Sequence, residues 1–395
     1  MRPNIKLDRP KLFFTTDMTK PLNTKVGHLG NLTPDNFLRK YWQKTPLLIR
    51  NAFRDYSLNI SLEQIIDFSS NPACATRLIV RGEQDFKVHY GPVTKPILKT
   101  LPGEGWTILV QGVNYVHDGA RRLLDMFNFI PYARQDDIMV SYAAPGGGVG
   151  PHYDSYDVFL LQGNGSRCWE VSRPKNMSLK PNHALKILEW FEPDGICVLQ
   201  KGDMLYVPPE FCHNGISDTE CITYSIGFRA PSYNELKVAL LDYLDEEFNL
   251  SGFYSDPNLR PTKLPAEIPS GLIDSVTSVI KKLKVNKRDS TLLLGKLLTR
   301  TNNPGTLDTK IASVSDFKKS FKNNYYELTP SAKLLYSENY IFLNGEAYII
   351  DSKSMSALKE IANNKRVSSI KNLNSDTVEL LYSWALDGII RKSRK

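Results

Sequence analysis

Two hydrophobic periods divide the chain. From about residue 137 to residue 228, apolar and β-branched residues come in short runs broken by Gly, Asn and Pro, the pattern of a small sandwich or barrel. Asp137 to Ala144 (DIMVSYAA) reads as a strand entering the loop Pro145-Gly146-Gly147-Gly148. Asp157 to Gln162 (DVFLLQ) reads as a buried strand, turned by Asn164-Gly165 into Arg167 to Val171 (RCWEV). Gly195 to Gln200, the Lys201-Gly202-Asp203 turn and Met204 to Val207 read as a hairpin ending at Pro208-Pro209. His213 falls in the loop that follows, and Thr219 to Phe228 (TECITYSIGF) is the closing strand.

Past Pro231 the period lengthens to about 3.6 residues. Leu236, Ala239, Leu240, Tyr243, Leu244 and Phe248 share one helical face, and Leu272, Ile273, Val276, Val279, Ile280 and Leu283 share another. A Pro-rich connector, Asp256 to Pro269, lies between them, and Leu292 to Leu298 adds a third apolar helix. Asn302-Asn303-Pro304-Gly305 reads as a linker. Beyond it, Tyr340 to Leu343 and Glu346 to Ile350 flank Asn344-Gly345, the pair that favours a type I′ turn. Met355 to Ile361 is a short helix; Asp376-x-x-Glu379 caps another over Val378 to Leu386, and Gly388 stops it.

Composition narrows the class. The 395 residues, 41% hydrophobic and 23% charged, are ordinary for a globular protein and leave room for two or three domains. No apolar stretch approaches the roughly 18 residues that span a bilayer, and the first residues lack the apolar core of a signal peptide. The expectation is a soluble, cytoplasmic protein. Five cysteines (Cys74, Cys168, Cys197, Cys212 and Cys221) form no C-x-x-C pair, and the odd count fits reduced thiols. Charge is uneven: residues 1–275 are net −2, whereas residues 276–300 hold seven basic side chains and one acidic. Such a run is usually a solvated helix face; its functional alternative is contact with the phosphates of RNA.

The candidate chemistry lies in Gly148-Val149-Gly150-Pro151-His152-Tyr153-Asp154 and in Pro208-Pro209-Glu210-Phe211-Cys212-His213. Alternate strand residues share a face, so His152 and Asp154 point together while Tyr153 points away. Two imidazoles and one carboxylate on one side of a metal leave three adjacent positions open, as in non-haem Fe(II) oxygenases. The absence of a thiolate from the set argues against a structural zinc site. Asp157 lies at the wrong offset to join them, and His28, His89, His117 and His183 sit in no ligand spacing. An isolated His-x-Asp pair is most often a surface hydrogen-bonded pair; the surrounding strands and glycines are what favour the metal.

The run SYAAPGGGVGPHYDSYDVFLLQGNGSRCWEV (Ser141 to Val171), with KGDMLYVPPEFCHNG (Lys201 to Gly215) and TYSIGFRAP (Thr223 to Pro231), resembles the bacterial ribosomal oxygenases. The opening Asn31 to Phe53 is similar to that family as well. These are JmjC-type, cupin-like hydroxylases that use Fe(II), 2-oxoglutarate and O2. Bacterial members act on an arginine of the large-subunit ribosomal protein L-sixteen, and human relatives on histidines of other ribosomal proteins. The resemblance implies His152, Asp154 and His213 as iron ligands, Arg167 as the grip on the distal carboxylate of 2-oxoglutarate, and Ser141 as a hydroxyl helping to hold it. A guanidinium on an inward strand position suits a carboxylate through two parallel charge-assisted bonds. Two departures stand out: Ser166 and Cys168 flank Arg167 where relatives carry arginines, and Thr223 stands where relatives have Asn.

The implied architecture is α+β: a double-stranded β-helix (JmjC/cupin jelly roll) over 1–232, a helical dimerisation domain over 233–309 and a winged-helix domain over 310–395. The expected activity is hydroxylation of an arginine of L-sixteen, with a homodimer, no membrane, and an RNA contact through the basic helix. A hydroxylase of a histidine or lysine in another protein is the alternative within this chemistry. A non-catalytic ribosome-assembly or nucleic-acid-binding factor is the alternative outside it.

Overall fold

The computed structural model describes residues 27–53, 58–82, 85–173, 175–248, 251–257, 259–301, 313–371 and 373–394. The chain divides into two compact units, meeting between Ala230 and Pro231.

The first unit is built on twelve strands: β1 (Leu47–Ile49), β2 (Ala75–Arg81), β3 (Phe86–Tyr90), β4 (Trp106–Gln111), β5 (Gln135–Ala143), β6 (His152–Tyr153), β7 (Asp157–Asn164), β8 (Arg167–Ser172), β9 (Gly195–Leu199), β10 (Met204–Val207), β11 (Cys212–Ser217) and β12 (Cys221–Phe228). They form an antiparallel sheet in the order β1-β10-β7-β12-β5-β4-β2-β3 and a smaller one in the order β6-β11-β8-β9. Between the sheets, Leu48, Val158, Leu160, Leu205 and Val207 meet Trp169, Val171, Cys197 and Leu199. On the opposite face of the larger sheet, Phe159, Leu161, Met204 and Tyr206 join Phe37, Ile65 and Leu123 from the helices α1 (Pro34–Lys40), α2 (Leu62–Ser69) and α5 (Asp118–Asp125); α3 (Lys95–Lys99) and α4 (Val113–Val116) lie between them in sequence. A strand covered on both faces has no need of polar alternation, which is why DVFLLQ is apolar almost throughout. The helices begin where the sequence supplies caps: Thr33 accepts from the Asn36 amide before Pro34, and Ser61 and Gln64 form a reciprocal capping box.

Two expectations are corrected here. The segments 195–200 and 204–207 do not form a hairpin: β9 pairs with β8 in the small sheet, and β10 with β1 and β7 in the large one. The Lys201-Gly202-Asp203 turn instead carries the chain between sheets. Asp203 holds it by accepting from the amides of Gln200 and Asn51 and from Arg50 at 2.6 Å. His213 lies not in a loop but on β11, directly opposite His152. Pro208-Pro209 suggested a longer loop, yet the chain regains sheet pairing by Cys212.

The second unit contains α6 (Tyr233–Glu247), α7 (Ser270–Ile280) and α8 (Lys287–Thr299), followed by α9 (Val314–Ser320), α10 (Ser352–Asn364) and α11 (Ser375–Leu386). Its strands are β13 (Asn324–Leu328), β14 (Leu334–Ser337), β15 (Tyr340–Leu343), β16 (Glu346–Ile349), β17 (Arg366–Val367) and β18 (Ile390–Arg394), in two three-stranded sheets. Tyr243 of α6 donates to Asp289 of α8 at 2.8 Å, and Gly295 lets α8 lie against the Phe342 ring, where a Cβ would come within 2.3 Å. No residue of α7 is buried. The last helix is capped not by Asp376 but by Asn374, whose side chain accepts from the Thr377 amide, so the helix starts earlier than the sequence pattern placed it. The short helix at 355–361 likewise extends to Ser352–Asn364, capped by Asp351. The linker at Asn302-Asn303-Pro304-Gly305 lies outside the described residues. Among those described, no helix is long and apolar enough to cross a membrane.

Candidate active site

β6 and β11 bring His152, Asp154 and His213 together, with one donor atom of each within 4.8 Å of the others. The two imidazole centroids are 4.3 Å apart, and Asp154 Oδ2 lies 4.0 Å from His152 Nε2 and 3.6 Å from His213 Nε2. Asp154 stands just past the two-residue β6, where its carbonyl accepts from the Glu210 amide and ties it to the segment leading into β11.

The orientation of the rings is set by backbone carbonyls. His152 Nδ1 lies 2.9 Å from the Gly150 carbonyl and His213 Nδ1 lies 3.1 Å from the Phe211 carbonyl. A carbonyl only accepts, so each Nδ1 carries the proton and each Nε2 offers a lone pair to the centre. His213 is buried, and desolvation, reinforced by His152, lowers its pKa to about 4. Its closeness to Asp154 is therefore not an ion pair. Two neutral imidazole nitrogens and a carboxylate oxygen, with no sulfur, suit a divalent first-row metal that keeps open positions.

On the inner face of β8, Arg167, Trp169 and Val171 alternate inward, and Val171 is paired with His213. Arg167 is 5% exposed, and burial lowers its pKa. Its Nη1 donates to Ser141 Oγ and to Thr223 Oγ1, both at 3.2 Å. Among the described residues no carboxylate pairs with it, and its Nε has no hydrogen-bond partner. A buried guanidinium with only neutral partners is costly. It is the environment that an external carboxylate would complete. Trp169 fills the space between: its ring lies 5.3 Å from the Arg167 guanidinium and 5.9 Å from the His213 ring. Gly215 permits this, because a Cβ there would come within 2.7 Å of the indole.

Several residues around the candidate site escaped the sequence reading. Gln162 ends an apolar run and is buried, and it accepts from Thr223 at 3.1 Å. Asp137 is two strand positions from Met139 and four from Ser141, on the same face of β5, and it accepts from the Gly112 amide. Tyr156 is half-buried; desolvation, followed by the fields of Asp154 and Asp137, drives its pKa up, so it stays a hydroxyl donor. Strand alternation alone would have placed Asp137 with Ser141. A cavity of about 200 Å³ adjoins the centre and is lined in part by Gly150, Pro151 and Asn214, chain neighbours of the two imidazoles. The other candidates go elsewhere. Asp157 accepts from Tyr206, Gln43 and Arg134; His117 caps α5; His183 pairs with Asp85; His28 stacks on Phe53 and packs against Phe127. All five cysteines are free thiols.

Comparison with known proteins agrees with this construction. The JmjC domain family matches residues 122–236, and the ROXA-like winged helix family matches residues 308–391. The chain is 34% identical over 251 residues to the ribosomal protein uL16 3-hydroxylase of Escherichia coli, covering 63% of this chain and 66% of that protein. It is 37% identical over 268 residues to a probable ribosomal oxygenase of Haemophilus influenzae, covering 65% and 64%. The matched region thus spans about two thirds of the length of these curated relatives. In three dimensions it matches E. coli YcfD with a TM-score of 0.81 at 26% identity, over 92% of this chain and 98% of that one. The complex of YcfD with cobalt and 2-oxoglutarate matches with a TM-score of 0.78 at 27% identity, over the same shares. A JmjC domain, a winged helix of this type and a jelly roll that superposes on a ribosomal oxygenase through most of its length have one common source: the chain belongs to the bacterial ribosomal oxygenase family.

Proposed function

We propose that this protein is an Fe(II)- and 2-oxoglutarate-dependent oxygenase that hydroxylates an arginine side chain of ribosomal protein uL16. The observation that carries the reading is the pairing, in one site, of an open His152–Asp154–His213 donor set with a buried Arg167 that has no carboxylate partner among the described residues. In this reading His152, Asp154 and His213 hold the iron, and Arg167 and Ser141 hold the distal carboxylate of 2-oxoglutarate. Bound together with O2, iron and cosubstrate supply an oxidant strong enough for an unactivated C–H bond, with succinate and CO2 as the other products. The protein's own part is positional. The backbone carbonyls of Gly150 and Phe211 keep both Nε2 atoms on the metal side, and Trp169 walls the buried end of the site that holds His213 and Arg167. Asp137, on the same face of β5 as Ser141 and one of the carboxylates whose field reaches Tyr156, supports a cationic substrate, because a carboxylate accepts readily from a guanidinium.

The test is direct: purified protein, Fe(II), 2-oxoglutarate and a uL16 fragment should yield succinate and a fragment heavier by one oxygen atom on arginine. Succinate formed with oxygen on a histidine or lysine instead would retain the enzyme and change the substrate. No metal-dependent succinate at all would return the protein to a non-catalytic factor. A uL16 substrate also places the site of action in the cytoplasm.

We further propose the division into a catalytic domain over 1–232, a helical dimerisation domain over 233–309 and a winged-helix domain over 310–395. The uncovered apolar residues of α7, Ile273 at 52% exposure and Ile280 at 60% among them, support a homodimer built through this helix. The exposed Lys281, Lys282 and Lys284 that follow it support an RNA contact. A contact with a few phosphates would weaken steeply as salt rises, and salt-independent binding would exclude it.

A further inference from the structure

We infer that Thr223 and Gln162 are positioning residues for the cosubstrate: a short hydrogen-bond relay that fixes the face Arg167 presents to a bound dicarboxylate. This rests on the function proposed above and names residues that act through Arg167 without touching the metal centre. The relay is continuous. Gln162 Nε2 donates to the Asn164 carbonyl at 2.7 Å, which leaves Gln162 Oε1 as acceptor for Thr223 Oγ1–H at 3.1 Å. With its proton committed there, Thr223 Oγ1 offers only lone pairs to Arg167 Nη1, at 3.2 Å. Ser141 completes the grip from the next strand: its hydroxyl donates to the Thr223 carbonyl at 3.4 Å and accepts from the same Nη1.

The register explains why these residues act as one. Thr223 on β12 is paired with Ser141 on β5 and with Gln162 on β7, so the three side chains lie in a row across one face of the larger sheet. All three are at most 2% exposed, and water has no access to replace any bond of the row. Both hydroxyls engage Nη1 and leave Nε without a partner, while the Trp169 ring blocks one approach to the guanidinium plane. A guanidinium with one corner pinned and another edge free is prepared for a carboxylate on that edge. An amide at position 223 would reach Arg167 with its own carbonyl and require no partner at 162; the threonine requires Gln162 to turn its proton away. The two residues are therefore one device.

Calorimetric titration of 2-oxoglutarate into the Mn(II)-loaded protein under anaerobic conditions tests the relay, with Mn(II) affinity measured beside it. Thr223→Val, which keeps the shape and removes the hydroxyl, should weaken 2-oxoglutarate binding about tenfold, the scale of one hydrogen bond to a charged group. Thr223→Ser should restore affinity to within about twofold. Gln162→Glu, which sets a competing carboxylate at the foot of the relay, should weaken binding more than Thr223→Val does. It also reads the same relay from its other end if the valine variant does not fold. Mn(II) affinity should stay constant throughout. Cosubstrate affinity in folded Thr223→Val or Gln162→Glu equal to wild type would overturn the inference, as would equal losses in Thr223→Val and Thr223→Ser. Wild-type protein that binds Mn(II) but not 2-oxoglutarate would overturn the proposed function along with it, whereas unaltered variants of a wild type that binds would overturn the relay alone.

Discussion

Replacing Arg167 by methionine should make the protein more stable and useless to its cosubstrate. The guanidinium is 5% exposed, its partners are two neutral hydroxyls and an indole face, and burial depresses its pKa. Methionine fills most of the same volume without the charge. Neither hydroxyl is abandoned, because Thr223 keeps Gln162 and Ser141 keeps the Thr223 carbonyl. Exchanging buried ion pairs for apolar residues of similar volume is often neutral or stabilising by about 1–4 kcal/mol, and here the charge has no ion partner among the described residues to lose. For a unit of this size each kcal/mol raises the melting temperature by about 2–4 °C, so a rise of several degrees is expected without cosubstrate. Wild-type protein should close the gap on ligand addition: 2-oxoglutarate at a hundred times its Kd contributes about 2.7 kcal/mol. Thermal melts of both proteins with Mn(II), with and without 2-oxoglutarate, therefore give opposite patterns. A variant that melts below wild type in the absence of cosubstrate would show that Arg167 is structurally compensated. A variant that still responds to 2-oxoglutarate would move the carboxylate grip to another residue.

Three further outcomes follow from the structure. His152→Ala and Asp154→Ala should each abolish the Mn(II)-induced rise in melting temperature and Fe(II)-dependent succinate formation while leaving the circular dichroism spectrum intact; undiminished turnover in either would remove the site assignment. Burial lowers the pKa of His28 from 6.5 to about 4, so the unfolded chain binds the extra proton first; its contribution is complete above about pH 6.5 and falls away toward pH 4, by roughly 3 kcal/mol. Urea unfolding of His28→Phe should be flatter than wild type across that window, and identical slopes would mean another group governs it. Val276→Glu on α7, where the valine is 47% exposed, should turn a dimer of micromolar protein into monomer by light scattering, and a monomeric wild type would dispose of the dimer.

The candidate donor set was suggested by a signal that is chemical and local. His152, Asp154 and His213 differ sharply from the apolar strands around them, and the structure brings their donor atoms together; Arg167 was singled out through the family resemblance, since a strand arginine alone is no signal. What the sequence could not supply was pairing. The turns at Asn164-Gly165 and Lys201-Gly202-Asp203 have ordinary hairpin chemistry, but each joins strands of different sheets. Turn residues specify a reversal of direction, and they are silent on which strand becomes the neighbour. The cap at Asn374 was missed for a related reason: Asp376 two residues later offers the same kind of oxygen, and only the backbone geometry chooses between them.

The same limit explains why the sequence did not connect Thr223 with Gln162. They are separated in sequence by 61 residues, and each has a credible life as an ordinary strand residue. Their significance comes from one register, Thr223 opposite both Ser141 and Gln162, which a single-residue slip would destroy by turning Thr223 to the other face. An unusual residue in the sequence therefore marked where the chemistry is, while sheet register decides how that residue is held. Thr223 marks the point where the two meet. As a departure from the pattern of the family it reads in sequence as a missing amide, and in the structure it is one half of a pair. In the relay we propose, a hydroxyl and a distant glutamine act together on Arg167, so substitution at either position should be felt at the same guanidinium.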